Sequence, residues 1–384
     1  VSRSISPHPV VRMLGTHGIP ASYGGFETAA ENIAKDMLAH GWEPVVYCQG
    51  SGSGPIVVDE WNGISRVTIP VARDGWLGTS EFDWRSIMHA VRSGDPCLTF
   101  GYNTALFNVV QRVMGIPNVI NMDGIEWSRA RWGKFRQAIL YVNERIACLV
   151  GNELIADHPQ IAAYLSRKAP SGKITTITYG ANAVDSASVA PVAHLHLIPG
   201  RYLTLVCRPI PENSILELVR AFSRRHRGVL LAVVGGYSLG DDYQRAVMAA
   251  ASDEVKFVGP VYEPSSLAAL RFHGLGYLHG HTVGGTNPSL VEAMAAGNPI
   301  VAHDNVYNRW VAQDSALYFR DEDQADEAIS QILESTDVRS RLSQRARDRH
   351  AEEFTWTHVA GQYRSLLGKY ALPAVDAANG AVRR

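Results

Sequence analysis

Cysteine is scarce in this chain. Cys48, Cys97, Cys148 and Cys207 lie in or beside apolar runs, and no two form a CxxC. That spacing argues against a clustered zinc site and fits reduced core thiols and a cytosolic address. Net charge is missing too. Lys+Arg 36 against Asp+Glu 37 leaves −1, which speaks against bulk electrostatic binding of nucleic acid. No apolar run approaches the ~18 residues of a membrane span, so a soluble or peripheral protein is expected. No secretory leader is legible at Val1–Pro9, which is polar and lacks an apolar h-region. A G-x-G-x-x-G fingerprint is also absent. The first strand runs into Gly15-Thr16-His17-Gly18, and the second ends Cys48-Gln49-Gly50 without the acidic residue that an adenosine ribose requires. Nicotinamide-dependent hydride transfer is disfavoured on both counts.

What is present is a long, apolar, alternating chain. With 384 residues and 46% hydrophobic content it can bury two cores and is not disordered. Strand-like runs occur at 10–14, 44–48, 65–70, 96–100, 118–122, 147–151 and 173–178. Amphipathic stretches such as Glu27–His40, Thr104–Met114 and Lys134–Ile146 fall between them. Such alternation predicts an α/β fold with mostly parallel sheets covered on both faces. The pattern restarts near Arg201, with strands in RYLTLVC, GVLLAVVGG, EVKFVG, GLGYLHG, NPIVAH and ALYFR. Residues 185–199 have weak periodicity and read as a linker. The expected domains are therefore 1–190 and 191–353. An amphipathic helix over 354–370 follows, and AVDAANGAVRR reads as a loose tail.

Three stretches carry candidate chemistry. The connection GTHGIPASYGGFE (15–27) is long for a strand-to-helix turn, and Gly24-Gly25 immediately precede a helix. Amides there suit an anion or a hydroxylated ligand, the alternative being an ordinary turn. The segment HGHTVGGTNPSLVEAMAAGNPIVAHDN (279–305) reads strand, glycine loop, helix, strand. Thr286, Asn287 and Ser289 offer capping groups, and Glu292 lies one turn inside the helix, where it can accept from ribose hydroxyls or simply be an exposed glutamate. Arg208 follows the first strand of the second half, at the end where parallel sheets bind ligands. Its guanidinium matches a diphosphate, or it is a surface arginine opening a Pro-rich loop.

NMDGIEWSRARWGKFR (121–136) is open to two readings at each end. Asp123 follows an apolar strand and is either a polar group at the cleft-facing end or a helix N-cap. Trp127 to Arg136 interleaves aromatics with cations. That suits an anionic membrane surface, or equally a solvated helix with buried aromatics. Asp321-Glu322-Asp323 spells DxD but reads as an acidic helix start.

In these motifs, together with CRPIPENSI (207–215), the sequence resembles the retaining, family-four glycosyltransferases of GT-B fold, from about Val11 to Tyr370. It is most similar to the bacterial polysaccharide rhamnosyltransferase subgroup. The resemblance implies two Rossmann-like domains across a cleft, with a final helix crossing back so that 354–384 packs on the N-terminal domain. It also implies a retaining hexosyltransferase. Its donor would be a nucleotide-diphosphate sugar, dTDP-rhamnose being favoured, and its acceptor a saccharide or a polyprenyl-diphosphate-linked saccharide at the inner membrane surface. The implied donor set is Gly24, Gly25, Arg208, Gly235, Tyr262, His281, Gly285, Thr286, Asn287, Ser289 and Glu292. The acceptor set is His17, Tyr23, Glu27 and Arg129, and Asp123 or Glu126 would handle the acceptor proton, with Arg208 steadying the leaving group. No cofactor and no metal is implied. Two positions depart from the family. Asn213-Ser214 stand where a lysine is usual, and position 284 is glycine where a glutamate normally touches the donor sugar, leaving His281 and Asn287 as replacements. A sugar-nucleotide epimerase of the same fold and a non-catalytic sugar-nucleotide-binding protein remain the competing readings.

Overall fold

A computed structural model of the protein describes residues 8–22, 24–129 and 131–371. Tyr23 and the tail read as loose lie outside the described residues. The chain divides into two compact units, one running up to Ile177 and resuming at Val359, the other spanning Thr178–His358.

The first unit is an eight-stranded sheet. Its strands are β1 (Val10–Leu14), β2 (Glu43–Ser51), β3 (Val57–Trp61), β4 (Ile64–Val71), β5 (Cys97–Phe100), β6 (Asn118–Asn121), β7 (Glu153–Ala156) and β8 (Ile174–Thr176). Their order is β3-β4-β2-β1-β5-β6-β7-β8, and all pairs are parallel except β3 with β4. The β3–β4 hairpin turns at Asn62-Gly63, both at positive φ. Asn-Gly is the strongest short hairpin signal. From β1 the chain steps one way along the sheet and from β4 the other way. Right-handed crossovers therefore put helix Gly25–Ala39 on one face and helices Gly75–Ala90, Val109–Val113 and Lys134–Val150 on the other.

The second unit has six parallel strands: β9 (Tyr202–Val206), β10 (Leu230–Val234), β11 (Val255–Gly259), β12 (Gly276–His279), β13 (Ile300–His303) and β14 (Ala316–Phe319), in the order β11-β10-β9-β12-β13-β14. Helix Ile215–Ser223 buries Ile215, Leu218, Val219 and Phe222 in its core, at the i, i+3, i+4, i+7 spacing of one helical face. Each such side chain contributes about 1.5–3 kcal/mol on burial.

Two sequence expectations need correction. The run ACLVG (147–151) is the last turn of helix Lys134–Val150, and the strand comes later, at Glu153–Ala156. A short apolar run reads alike in a buried strand and a buried helix turn. Residues 185–199 are no free linker either. They contain helix Ala190–His194, and Val192 and Leu197 are buried against Tyr202, Ala269 and Leu270. The closing helix, Trp356–Gly368, starts beside Tyr179 and ends on the first unit. There Tyr363 Oη accepts from Asn121 Nδ2 at 2.7 Å, and Arg364 Nε meets Asp36 Oδ2 at 3.0 Å.

Candidate functional site

In the second unit the strand order reverses between β9 and β12. In open parallel sheets, ligands bind outside the strand C-termini at such a point. Arg208 sits two residues beyond β9, exposed. Its carbonyl is fixed by Asn213, whose buried amide Nδ2 donates to it at 2.7 Å. Asn213 thus braces the turn that carries Arg208. Across the reversal, Gly280 follows β12. A Cβ there would collide with the Asn213 carbonyl, so the two loops touch at a point only glycine fits. Thr282 ties them further, its amide and hydroxyl both donating to Glu212 O at 2.9 Å.

The glycine loop ends in helix Pro288–Ala295. Asn287 is its N-cap, accepting from Ser289 N at 3.0 Å. The Ser289 hydroxyl is turned toward β9, donating to Val206 O at 2.9 Å and bonding to Tyr277 Oη. Thr286 is buried and Gly285 half-buried. Glu292, one turn in, is half-buried. Its Oε2 is paired at 2.6 Å with Nη2 of Arg271, a residue almost wholly enclosed. Arg271 belongs to helix Pro264–Phe272 and was not singled out in the sequence. Nothing in local pattern marks a cation whose role is to reach a carboxylate 21 positions on (292 − 271 = 21).

His281 stacks on His279 with ring centroids 4.4 Å apart. Burial, and then the neighbouring His281, hold His279 well below the ordinary imidazole range, so a neutral ring sits beneath the loop. Asn308 Nδ2 donates to both His281 O and His303 O at 2.9 Å, locking the loop to the end of β13. Gly235 (φ 156) and the exposed Tyr262 lie just past β10 and β11, on the same edge as Arg208. A side chain at Gly284 would meet open space, but its φ of 133 disfavours any residue with a Cβ.

The first unit gathers its candidates at the ends of β1 and β6. Residues 15–22 are held from below by the following helix. Buried Glu27 Oε1 accepts from His17 N at 2.8 Å and Glu31 Oε2 from Ala21 N at 2.7 Å. Glu27 is therefore a latch on the loop. Gly24 and Gly25 open the helix, and His17 is exposed.

Past β6, Asp123 adopts φ 52, and its amide donates to Asn121 Oδ1 at 3.0 Å. It caps no helix: the next turn is Glu126–Ser128, whose cap position is Ile125. Burial, and then the nearby Glu126, raise the Asp123 carboxyl above its usual range. Glu126 differs from the expectation of a proton-handling group. It is buried and saturated by Arg129 Nε at 2.7 Å, Trp132 Nε1 at 2.8 Å and Arg131. Arg129, expected at the acceptor, and Arg131, expected at a membrane, are partners of this carboxylate. Trp127 turns in as well, donating to Glu144 and Tyr164.

The acidic DxD is a helix start: Asp321 Oδ1 accepts from Gln324 N at 2.9 Å, while Glu322 and Asp323 pair with Arg224. Among the described residues no group of three or more His, Cys, Asp or Glu is placed to hold a metal, and no helix is long and apolar enough to cross a membrane.

Known structures share this architecture. Sucrose-phosphate synthase from Thermosynechococcus elongatus superposes with a TM-score of 0.79 at 18% identity, over 94% of this chain and 99% of that one. HepE from Anabaena, solved with UDP and glucose, gives 0.73 at 16% over 94% and 100%. An α,α-trehalose-phosphate synthase from Burkholderia xenovorans, solved with glucose-6-phosphate, gives 0.71 at 13% over 94% and 100%. The chain has the GT-B fold. Residues 216–365 match the family model described as glycosyl transferase-like, so the second GT-B unit carries a glycosyl transferase-like domain. Residues 96–182 match a domain of unknown function. No curated protein matches the chain.

Proposed function

We propose that the protein is a retaining glycosyltransferase. It moves L-rhamnose from dTDP-rhamnose to a saccharide carried on a polyprenyl diphosphate at the inner membrane surface, in the synthesis of a cell-surface polysaccharide. The observation that carries the donor half of this reading is the pair of groups at the β9/β12 reversal. Arg208 is suited to the diphosphate, and Glu292, held by buried Arg271, is suited to the ribose. The bond from the sugar C1 to the diphosphate oxygen breaks and a bond to the acceptor oxygen forms. Arg208 and the loop amides take the negative charge that develops on the leaving group. Asp123, which burial makes a stronger base in its ionised form, receives the acceptor proton. The choice of rhamnose rests on the resemblance of the 15–27, 121–132, 207–215 and 279–294 motifs to the rhamnosyltransferase subgroup, and Gly284 is compatible with a 6-deoxy sugar.

Titration calorimetry of wild type and Arg208→Ala with dTDP and thymidine tests the donor site. Arg208→Ala should weaken dTDP by ~10–100-fold and leave thymidine nearly unchanged. Equal dTDP affinity in the two proteins refutes the donor assignment. Turnover of UDP-glucose or GDP-mannose with no turnover of dTDP-rhamnose refutes the sugar and leaves the donor site standing.

A further inference from the structure

In the first unit, the helices that cover one sheet face leave their own outer side unusually apolar. Helix Lys134–Val150 turns Leu140, Asn143, Glu144, Ala147 and Cys148 inward. The opposite side carries Phe135, Ile139, Val142 and Leu149, spaced as a single helical stripe, with Phe135 79% and Leu149 70% exposed. A helix with one buried side normally presents polar residues to water, so this stripe is anomalous. Its neighbours continue it. Segment 105–114 is joined to it by Leu106 N donating to Asn143 Oδ1 at 2.9 Å, and ends in the exposed pair Val113 and Met114. Helix Gly75–Ala90 joins through Trp84 against Phe107 at 5.4 Å and Thr104 Oγ1 donating to Asp83 at 2.7 Å, and it exposes Trp76, Leu77 and Trp84.

Charge on the same segments is one-sided. Over 73–92, 105–114 and 134–150 the exposed ionic side chains are Arg73, Asp74, Arg92, Arg112, Lys134, Arg136 and Arg145, and the partly exposed Glu81 is matched by Arg85 at 3.7 Å. A second copy of the chain would bring these cations face to face. Apolar and indole groups among cations suit the boundary of an anionic bilayer, where Trp sits at headgroup depth and each cation near the surface adds ~1 kcal/mol.

We propose that the outer face of these three helical segments docks the protein on an anionic lipid surface, lying in the interface without crossing it. Of segment 127–136, only Lys134, Phe135 and Arg136 belong to this face, because Arg129, Arg131 and Trp132 are turned onto Glu126. The link to a lipid-linked acceptor rests on the glycosyl-transfer reading, whereas the docking itself does not.

The test is co-sedimentation of the full chain with vesicles of phosphatidylglycerol and phosphatidylcholine, against vesicles of phosphatidylcholine alone, without donor. Wild type should sediment with the anionic vesicles only. The variant Lys134→Glu, Arg136→Glu, Arg145→Glu should lose about a hundred-fold or more in partitioning, at ~1 kcal/mol per charge and an unchanged melt. The variant Phe135→Ser, Val142→Ser, Leu149→Ser should also detach. No wild-type binding, or equal binding by the charge-reversal variant, overturns the proposal. So does concentration-dependent self-association of wild type that the serine variant abolishes, which would make the face an interface between copies. Failure here leaves the dTDP measurements untouched, and failure of those leaves vesicle binding untouched.

Discussion

Removing Arg271 tests how the proposed ribose carboxylate is aimed. Its side chain is 4% exposed and that of Glu292 33%, at 2.6 Å. Glu292→Gln leaves an enclosed guanidinium without its counter-charge, at a cost of about 1–3 kcal/mol. Breaking a fully buried pair costs about 3–5 kcal/mol. Arg271→Met should cost less than that, since Glu292 is partly solvated and methionine refills the space. The double variant should be less destabilised than the sum of the singles, with a coupling of about 1–2 kcal/mol. In a unit of this size each kcal/mol moves Tm by about 2–4 °C, within reach of urea and thermal unfolding.

The ligand side of the cycle separates aiming from packing. Glu292→Gln should weaken thymidine by about 10-fold or more, through loss of a charge-assisted hydrogen bond. Arg271→Met should weaken it less, because the carboxylate remains but is no longer held. The double variant should bind thymidine no worse than Glu292→Gln. Fully additive losses in both stability and thymidine affinity would refute the reasoning, since they would mean that Arg271 and Glu292 act independently.

Asp123→Asn should leave dTDP affinity near wild type and lower transfer ~10²–10⁴-fold, measured with donor and acceptor both saturating; transfer within a few-fold of wild type removes the base role. Burial pushes the Asp83 carboxyl up to about 6. Its stabilising contribution is therefore complete below about pH 4 and lost as pH rises through about 6. Asp83→Asn should accordingly unfold later than wild type at pH 8, by about 1–3 kcal/mol, and match it near pH 4. A benefit of the same size at both values would show that the carboxyl is not the cause. Gly284→Glu should lower rhamnosyl transfer through the backbone: φ of 133 disfavours any side chain, although a Cβ there meets nothing. Gly284→Ala should share most of the loss, and an active Gly284→Ala beside an inactive Gly284→Glu would point to the charge instead.

Period and punctuation in the sequence determined the architecture. β-branched runs broken by amphipathic stretches are enough for two parallel sheets, because a strand buried on both faces must be apolar throughout. Local motifs also located Arg208, the glycine loop and the Asn287 cap, since these depend on residues a few positions apart. The β3–β4 hairpin also has its local signal, Asn62-Gly63, but a reading by apolar runs passes over the exposed strand Val57–Trp61. Tertiary structure alone decided what each charged side chain faces. Glu126 lies in the turn after β6 and Glu292 one turn inside a helix, and both read as carboxylates open to a ligand. One is closed off by Arg129, Arg131 and Trp132, and the other is pinned by Arg271 from a separate helix. Likewise segment 127–136 reads equally as a membrane face or as a solvated helix with buried aromatics: packing turns Trp127 and Arg131 inward and leaves Phe135 outside, and Leu149, in a strand-like run, is an exposed position of a helix. Helical periodicity says which residues share a face. Only the sheet and the neighbouring helices say which face is covered, because burial is a property of what packs against an element and not of the element itself.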